Sequence, residues 1–170
     1  PLDLNGLVTE MAALFFRNKD EIRVESCMAA DLRPVDADQG QLEQVLMNLF
    51  VNAWQAMPQG GQLILKTANV TEGQIRSKVY KPRPGAYVLL SVTDTGVGMD
   101  AQIQERIFEP FFTTKDLGRG TGLGLASVYG IVKNHNGFIN VYSEVNEGTS
   151  FNIYLPISEE QVVTKEELPD

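Results

Sequence analysis

The sequence is short of the residues that most often make a small protein reactive or cross-linked. Its single cysteine, Cys27, excludes an internal disulfide, and in the strand-like "EIRVESCM" it suits a reducing compartment better than a catalytic thiol. Its single histidine, His135 in "KNHNG", leaves no Cys/His metal set and stands at the expected end of a helix, where histidine commonly caps or lies at the surface. No apolar run approaches the length of about 18 residues that a membrane helix needs, and the amphipathic start "PLDLNGLVTEMAALFF" is not a charged-then-apolar leader. Basic residues are outnumbered, 14 Lys and Arg against 22 Asp and Glu, for a net charge of −8. That balance argues against a nucleic-acid surface, so an anion bound here must be gripped locally.

What is present is enough for one full core: 170 residues, 43% apolar and 21% charged, with no internal repeat. Apolar residues at three-and-four spacing predict a helix over residues 4–19, and alternation predicts a strand over 21–28. Asp38, with Gln41 three residues on, marks the start of a helix that runs to about Met57, where "PQGG" stops it. "GQLILKTANV" and "AYVLLSVTD" read as partner strands across a polar loop, residues 100–106 as a short helix, and 123–134 as a longer one. Two last strands, "GFINVYSEV" and "GTSFNIYLP", meet at a turn around Asn146 to Gly148, and the acidic tail 157–170 reads as a linker. Helices interleaved with hairpin-connected strands predict a two-layer α/β sandwich with helices on one sheet face.

Three stretches carry chemistry. Asn48 and Asn52 lie four apart on the second helix and share a face, which Gln44 and Gln55 extend. Their carboxamides can serve a hydrated Mg²⁺ or a phosphate's water shell, or form a solvated polar stripe. In "LLSVTDTGVGMD", alternation puts Asp94 on the apolar face of its strand, where a carboxylate needs partners. It can accept from an amine such as that of adenine, with Gly96 and Gly98 letting the backbone pass a flat ring, or it can cap the following turn. In "DLGRGTGLGLASVYG", glycines at 118, 120, 122 and 124 lead into a helix. The spacing matches neither a dinucleotide fingerprint nor a Walker loop, yet backbone N–H groups at a helix start suit phosphate, and Thr113, Thr114, Lys115 and Arg119 add donors and charge.

In this order the stretches resemble the catalytic and ATP-binding domain of sensor histidine kinases, in the superfamily that also holds type II topoisomerases, mismatch-repair ATPases and heat-shock chaperones. "NLFVNAWQAM" is similar to the N box, "DTGVGM" to the first glycine box, and "FEPFFTTK" to the F box. "GRGTGLGLASVYGIVKNHNGFINVYSEVNEGTSFNIYLP" is similar to the second glycine box with its trailing helix and strands. The F box is nearest the nitrogen-regulation branch. The resemblance spans residues 1–156 and implies a Bergerat-type ATP-binding fold, a mixed and mainly antiparallel sheet covered on one face by helices, with ATP and Mg²⁺ as cofactors.

Carried over, the resemblance makes Asn52 the Mg²⁺ ligand and Asn48 a phosphate or metal-water contact. Asp94 would read the adenine amine, with Gly96 and Gly98 beside the ring and Thr149 supporting the base through water. Residues from about Phe111 to Thr121 would form a mobile lid. Thr113, Thr114, Lys115, Gly120, Thr121, Gly122, Leu123 and Gly124 would line the phosphates, and Lys115 would act with Asn48 in catalysis.

In the ATP-hydrolysing branches a glutamate stands four residues before the Mg²⁺-binding asparagine; here that position is Asn48, which cannot take a proton at neutral pH. The resemblance therefore implies a protein-histidine kinase, with a GHKL-type ATPase or a serine/threonine-directed switch kinase as alternatives. In that family the histidine that receives the phosphoryl group belongs to a dimeric helical domain preceding the one resembled here. No H-E or H-D motif occurs here, so the chain reads as a fragment that binds ATP without phosphorylating itself. Implied partners are that phosphoacceptor domain and a response-regulator receiver, with no nucleic acid. The implied setting is the bacterial cytoplasm, in a homodimeric parent that is free to be membrane-anchored.

Overall fold

Alternating and helical patterns sort cleanly into elements in a computed structural model, which describes residues 1–75, 85–110, 112 and 124–159. Helix α1 spans Leu4–Phe15, strand β1 Ile22–Cys27, α2 Gln39–Ala56, β2 Gly61–Thr71, β3 Ala86–Asp94, α3 Ala101–Arg106, α4 Gly124–Asn134, β4 Phe138–Glu144 and β5 Gly148–Pro156. Asp38 caps α2 by accepting the Gln41 N–H at 2.9 Å, as the sequence pattern predicts. Helix α1 stops at Phe15, short of the expected 19. The following "FRNKD" offers no continuing apolar stripe, and Lys19 Nζ folds back to donate to the Phe15 carbonyl at 2.8 Å.

The five strands form one sheet in the order β1-β2-β3-β5-β4. β1 pairs with β2 in parallel, with α2 as the crossover, and every other pair is antiparallel. One face carries α1, α2 and α4. Alternation turns Leu63 and Leu65 of β2, Val88, Leu90 and Val92 of β3, and Phe151, Ile153 and Leu155 of β5 toward them, all at most 3% exposed. Leu4, Leu7 and Val8 of α1, Leu46, Leu49 and Phe50 of α2, and Val128 and Val132 of α4 close the core from the other side. Each such side chain contributes about 1.5–3 kcal/mol of transfer free energy. The opposite face bears a smaller cluster, in which Ile75 packs on Tyr87 and Tyr154.

The first helix is tied in by polar bonds as well as packing. Thr67, buried in β2, donates to Asn5 Oδ1 at 2.7 Å and accepts the Ala29 N–H at 3.0 Å, while Asn5 Nδ2 donates to the Ala29 carbonyl at 2.7 Å. Leu2, Val35 and Ile157 make successive antiparallel bridges, and Ser158, buried, donates its N–H to the Pro34 carbonyl at 2.7 Å. No helix among the described residues is long and apolar enough to cross a membrane.

Candidate functional site

Asp94 closes β3, and its position on the inward face follows from the same alternation that buries Val88, Leu90 and Val92. It is 4% exposed. Burial pushes its carboxyl above the usual range, partly opposed by backbone N–H bonds from Gly96 and Thr149. The Gly96 N–H lies 2.8 Å from Asp94 Oδ1. Asp94 therefore does cap the next turn, and it also retains acceptor capacity at the end of the sheet. A cavity of about 400 Å³ opens at this end of β3, β4 and β5; it is lined by Asp94, Ser143 and Thr149 together with Thr93, Tyr142 and Ser150 of the outer sheet face, and Asn48, Asn52, Gly96 and Gly98 are not part of its lining.

The glycines after Asp94 are held by close packing. A Cβ on Gly96 would overlap the Ala56 carbonyl at the end of α2, where the Val97 N–H also bonds at 2.9 Å. Gly98, at φ +70°, passes so near the Glu144 carbonyl that a side chain there would collide with it. The loop is thus wedged between α2 and the β4–β5 turn, and Asn146 donates its N–H to the Val97 carbonyl at 2.7 Å.

On α2, the helical period places Asn48 and Asn52 beside the apolar stripe, both half-buried. Asn48 Nδ2 donates to the Gly124 carbonyl at 3.3 Å, bringing the N box against the first residue of α4. Asn52 has no side-chain hydrogen bond within the described residues, so its carboxamide is available to a ligand. No group of three or more His, Cys, Asp and Glu side chains among the described residues could hold a metal. A cation here would rely on neutral amide oxygen, water and the anion it accompanies, a donor set that fits Mg²⁺.

The structure brings Asn48 and Gly124 into contact, as it does Asp94, Gly96 and Thr149. Thr113, Thr114, Lys115, Gly120, Thr121, Gly122 and Leu123, with Phe111 and Arg119, lie outside the described residues. The F box is anchored at its start, where Ile107 is buried and the Phe108 ring lies 5.4 Å from that of Tyr129 on α4. His135 is a helix-end residue, as expected, with a wider reach: Nδ1 bonds the Ile131 carbonyl at 2.8 Å, and Nε2 accepts the Asp38 N–H at 3.2 Å.

Two residues that the sequence patterns passed over complete the site. Ser143 Oγ accepts the Met99 N–H at 2.8 Å, donates to the Gly148 carbonyl at 2.9 Å and lies 2.8 Å from Thr149 Oγ1. Gln104 Nε2 donates to the Met99 carbonyl at 2.9 Å and to the Ser143 carbonyl at 3.0 Å. The available signal for Ser143 was its register: in β4 the inward positions read Ile139, Val141, Ser143, so a hydroxyl interrupts an apolar alternation.

Residues 37–159 match the family model described as histidine kinase-, DNA gyrase B-, and HSP90-like ATPase. The chain is 49% identical over 159 residues to the sensor kinase CckA of Brucella abortus, covering 91% of this chain and 17% of that protein. It is 39% identical over 159 residues to the sensor histidine kinase ZraS of Escherichia coli, covering 92% of this chain and 31% of that one. The chain thus spans a third or less of these relatives' lengths. Among solved structures it is similar to full-length ShkA in complex with AMPPNP, with a TM-score of 0.76 and 29% identity over 95% of this chain and 32% of that one. It is also similar to the nucleotide-free catalytic domain of histidine kinase ThkA, with a TM-score of 0.73 and 32% identity over 92% of this chain and 93% of that one.

Proposed function

Because the chain belongs to the family of histidine kinase-, DNA gyrase B- and HSP90-like ATPases, we propose that it is the ATP·Mg²⁺-binding catalytic domain of a sensor histidine kinase. The observation that carries this reading is the placement of Asp94. It is a buried carboxylate with open acceptor positions, beside Thr149, and the loop that follows it packs on the end of α2, the helix that carries Asn48 and Asn52.

In this reading Asp94 accepts a hydrogen bond from the exocyclic amine of adenine, with Gly96, Gly98 and Thr149 around the base. The triphosphate runs toward Gly124 and the start of α4, where the helix dipole favours negative charge. Thr113, Thr114, Lys115, Gly120, Thr121, Gly122 and Leu123 supply further donors from the preceding segment. Asn52 would hold Mg²⁺, which when bound neutralises phosphate charge and aligns the terminal phosphoryl group.

Asn48 orients rather than deprotonates, because a carboxamide cannot accept a proton at neutral pH. Transfer to a positioned nucleophile is then favoured over attack by water. An imidazole nitrogen of the phosphoacceptor domain forms a P–N bond as the bond from the γ-phosphorus to the β,γ-bridging oxygen breaks. ADP leaves with the electron pair. Residues 1–156 would form this catalytic unit, with Ile157 and Ser158 bound to it through Val35 and Pro34, and the rest of the tail to 170 would be a connector. The parent would be a cytoplasmically exposed homodimer that passes its phosphoryl group to a response-regulator receiver.

The test has two parts. ATP·Mg²⁺ at a hundred times its Kd should stabilise the fold by about 2.7 kcal/mol, read as a rise in Tm. Labelled ATP should leave the isolated chain unmarked and place acid-labile label on an added histidine-bearing phosphoacceptor hairpin. No rise in Tm, or acid-stable label, would overturn the proposal.

A further inference from the structure

Ser143, Thr149 and Asp94 occupy one rung across β4, β5 and β3, since Ser143 pairs with Thr149 and Thr149 with Asp94. The protons on this rung can be assigned by counting. The Gly148 carbonyl can only accept, so the single Ser143 hydroxyl proton serves it at 2.9 Å. The two Ser143 lone pairs then take the Met99 N–H and the Thr149 hydroxyl, both at 2.8 Å. Thr149 has thereby spent its hydroxyl proton on Ser143, and what its Oγ1 keeps is acceptor capacity. The Asp94 carboxylate takes the Gly96 N–H at 2.8 Å, and the Thr149 backbone N–H helps to keep it charged. Gln104 locks the arrangement by donating to both the Met99 and Ser143 carbonyls. Asp94 and Thr149 are both buried at this end of the sheet, and Ser143 is half-buried beside them.

We propose that Ser143 is a positioning residue that turns the Asp94–Thr149 rung, at the base end of the nucleotide site, into an acceptor-only edge, so that it takes a 6-amino purine and rejects a 6-keto purine. The proposal rests on the nucleotide-binding reading above. A keto oxygen brought to Asp94 and Thr149 meets lone pairs only, whereas an amine supplies protons. Removing the Ser143 hydroxyl frees the Thr149 proton to rotate away from β4, where it can donate to a keto group.

The experiment compares the affinities of the whole chain for ATP and inosine triphosphate, which differ in the 6-amino and 6-keto functions, by displacement of a fluorescent nucleotide. Ser143→Ala should lower the ATP preference by about fivefold or more, chiefly by tighter binding of inosine triphosphate. Ser143→Thr, which keeps the hydroxyl, should restore it. Adding Thr149→Val to Ser143→Ala should remove the gained affinity for inosine triphosphate. A general loosening would weaken both nucleotides together and so leave the ratio alone. If Ser143→Ala does not fold, Ser143→Cys, with a much weaker donor of similar size, is measured in its place with the same expectation. An unchanged ratio, or a changed ratio that survives loss of the Thr149 hydroxyl, overturns the proposal while leaving ATP binding intact. Failure of the unaltered chain to bind ATP overturns the nucleotide reading itself, and this proposal with it.

Discussion

The side-chain amide of Asn48 donates to the carbonyl oxygen of Gly124 across 3.3 Å, so one hydrogen bond joins the third turn of α2 to the first residue of α4. The contact needs a donor on residue 48. Asn48→Ala should cost about 1 kcal/mol of stability, and Asn48→Asp more, because a carboxylate has no proton to give and faces the carbonyl dipole. Urea melts of the three proteins check the ranking, and equal losses for Ala and Asp would remove the donor role.

Asn52 should matter to the ligand and not to the fold. It has no side-chain hydrogen bond within the described residues, so Asn52→Ala should leave the ligand-free Tm within about 1–2 °C, consistent with a surface change of up to about 0.5 kcal/mol. Mg²⁺-dependent ATP affinity should fall by about tenfold or more, the loss of one ligand in a site with few protein donors. Titration of ATP with and without Mg²⁺ separates the two effects. Undiminished Mg²⁺ dependence in the variant would place the metal elsewhere.

Asp94 should make stability depend on pH in a definite direction. Burial raises its folded-state pKa above the unfolded value, so its contribution is fully present below the unfolded pKa and is lost as pH rises through the folded one. Asp94→Asn, which resembles the protonated form, should therefore be more stable than the parent at neutral pH without nucleotide. That advantage should vanish in acid, and the ATP-induced rise in Tm should disappear with it. Melting curves from pH 3 to 8 test this, and a variant less stable at pH 7 would contradict the burial cost.

His135 should be structural. Its ring bonds α4 to the N-cap of α2, through Ile131 at one nitrogen and Asp38 at the other. His135→Ala should cost about 1–2 kcal/mol in a urea melt and leave the ratio of ATP to inosine triphosphate affinity unchanged. A shifted ratio would show that this end of α4 reaches the base site.

Helix α1 and strand β1 precede the span matched by the family model, residues 37–159, yet they supply core. Thr67→Val should cost about 1–3 kcal/mol by leaving Asn5 Oδ1 and the Ala29 N–H without their partner. A chain beginning at residue 37 should fail to melt cooperatively, because Phe50, Leu46 and Leu49 of α2 would lose their cover. A sharp, native-like transition for that chain would show that α1 is dispensable.

Most of the architecture was readable locally. The α2 start at Asp38, the span of β3 and the β4–β5 turn all follow from caps, alternation and turn residues within a few positions of one another. So does the inward aspect of Asp94, because period two along a strand admits one answer once Val88, Leu90 and Val92 are inside. Helix α1 was overextended to residue 19, since the Lys19 cap that ends it becomes visible only when the chain has turned back on itself.

Chain order and composition thus established the elements, their buried faces, and the presence of carboxamides and a carboxylate suited to a nucleotide and its metal. The fold itself had to settle which polar groups meet. Parallel pairing of β1 with β2, the bond from Asn48 to Gly124, the reach of His135 to Asp38 and the Ser143–Gln104 clamp all join residues distant in sequence or bend a loop back on a strand. Local periodicity records burial, which repeats along the chain. Hydrogen-bond partnership depends on directions and on distances of about 3 Å, and those exist only after the layers have packed.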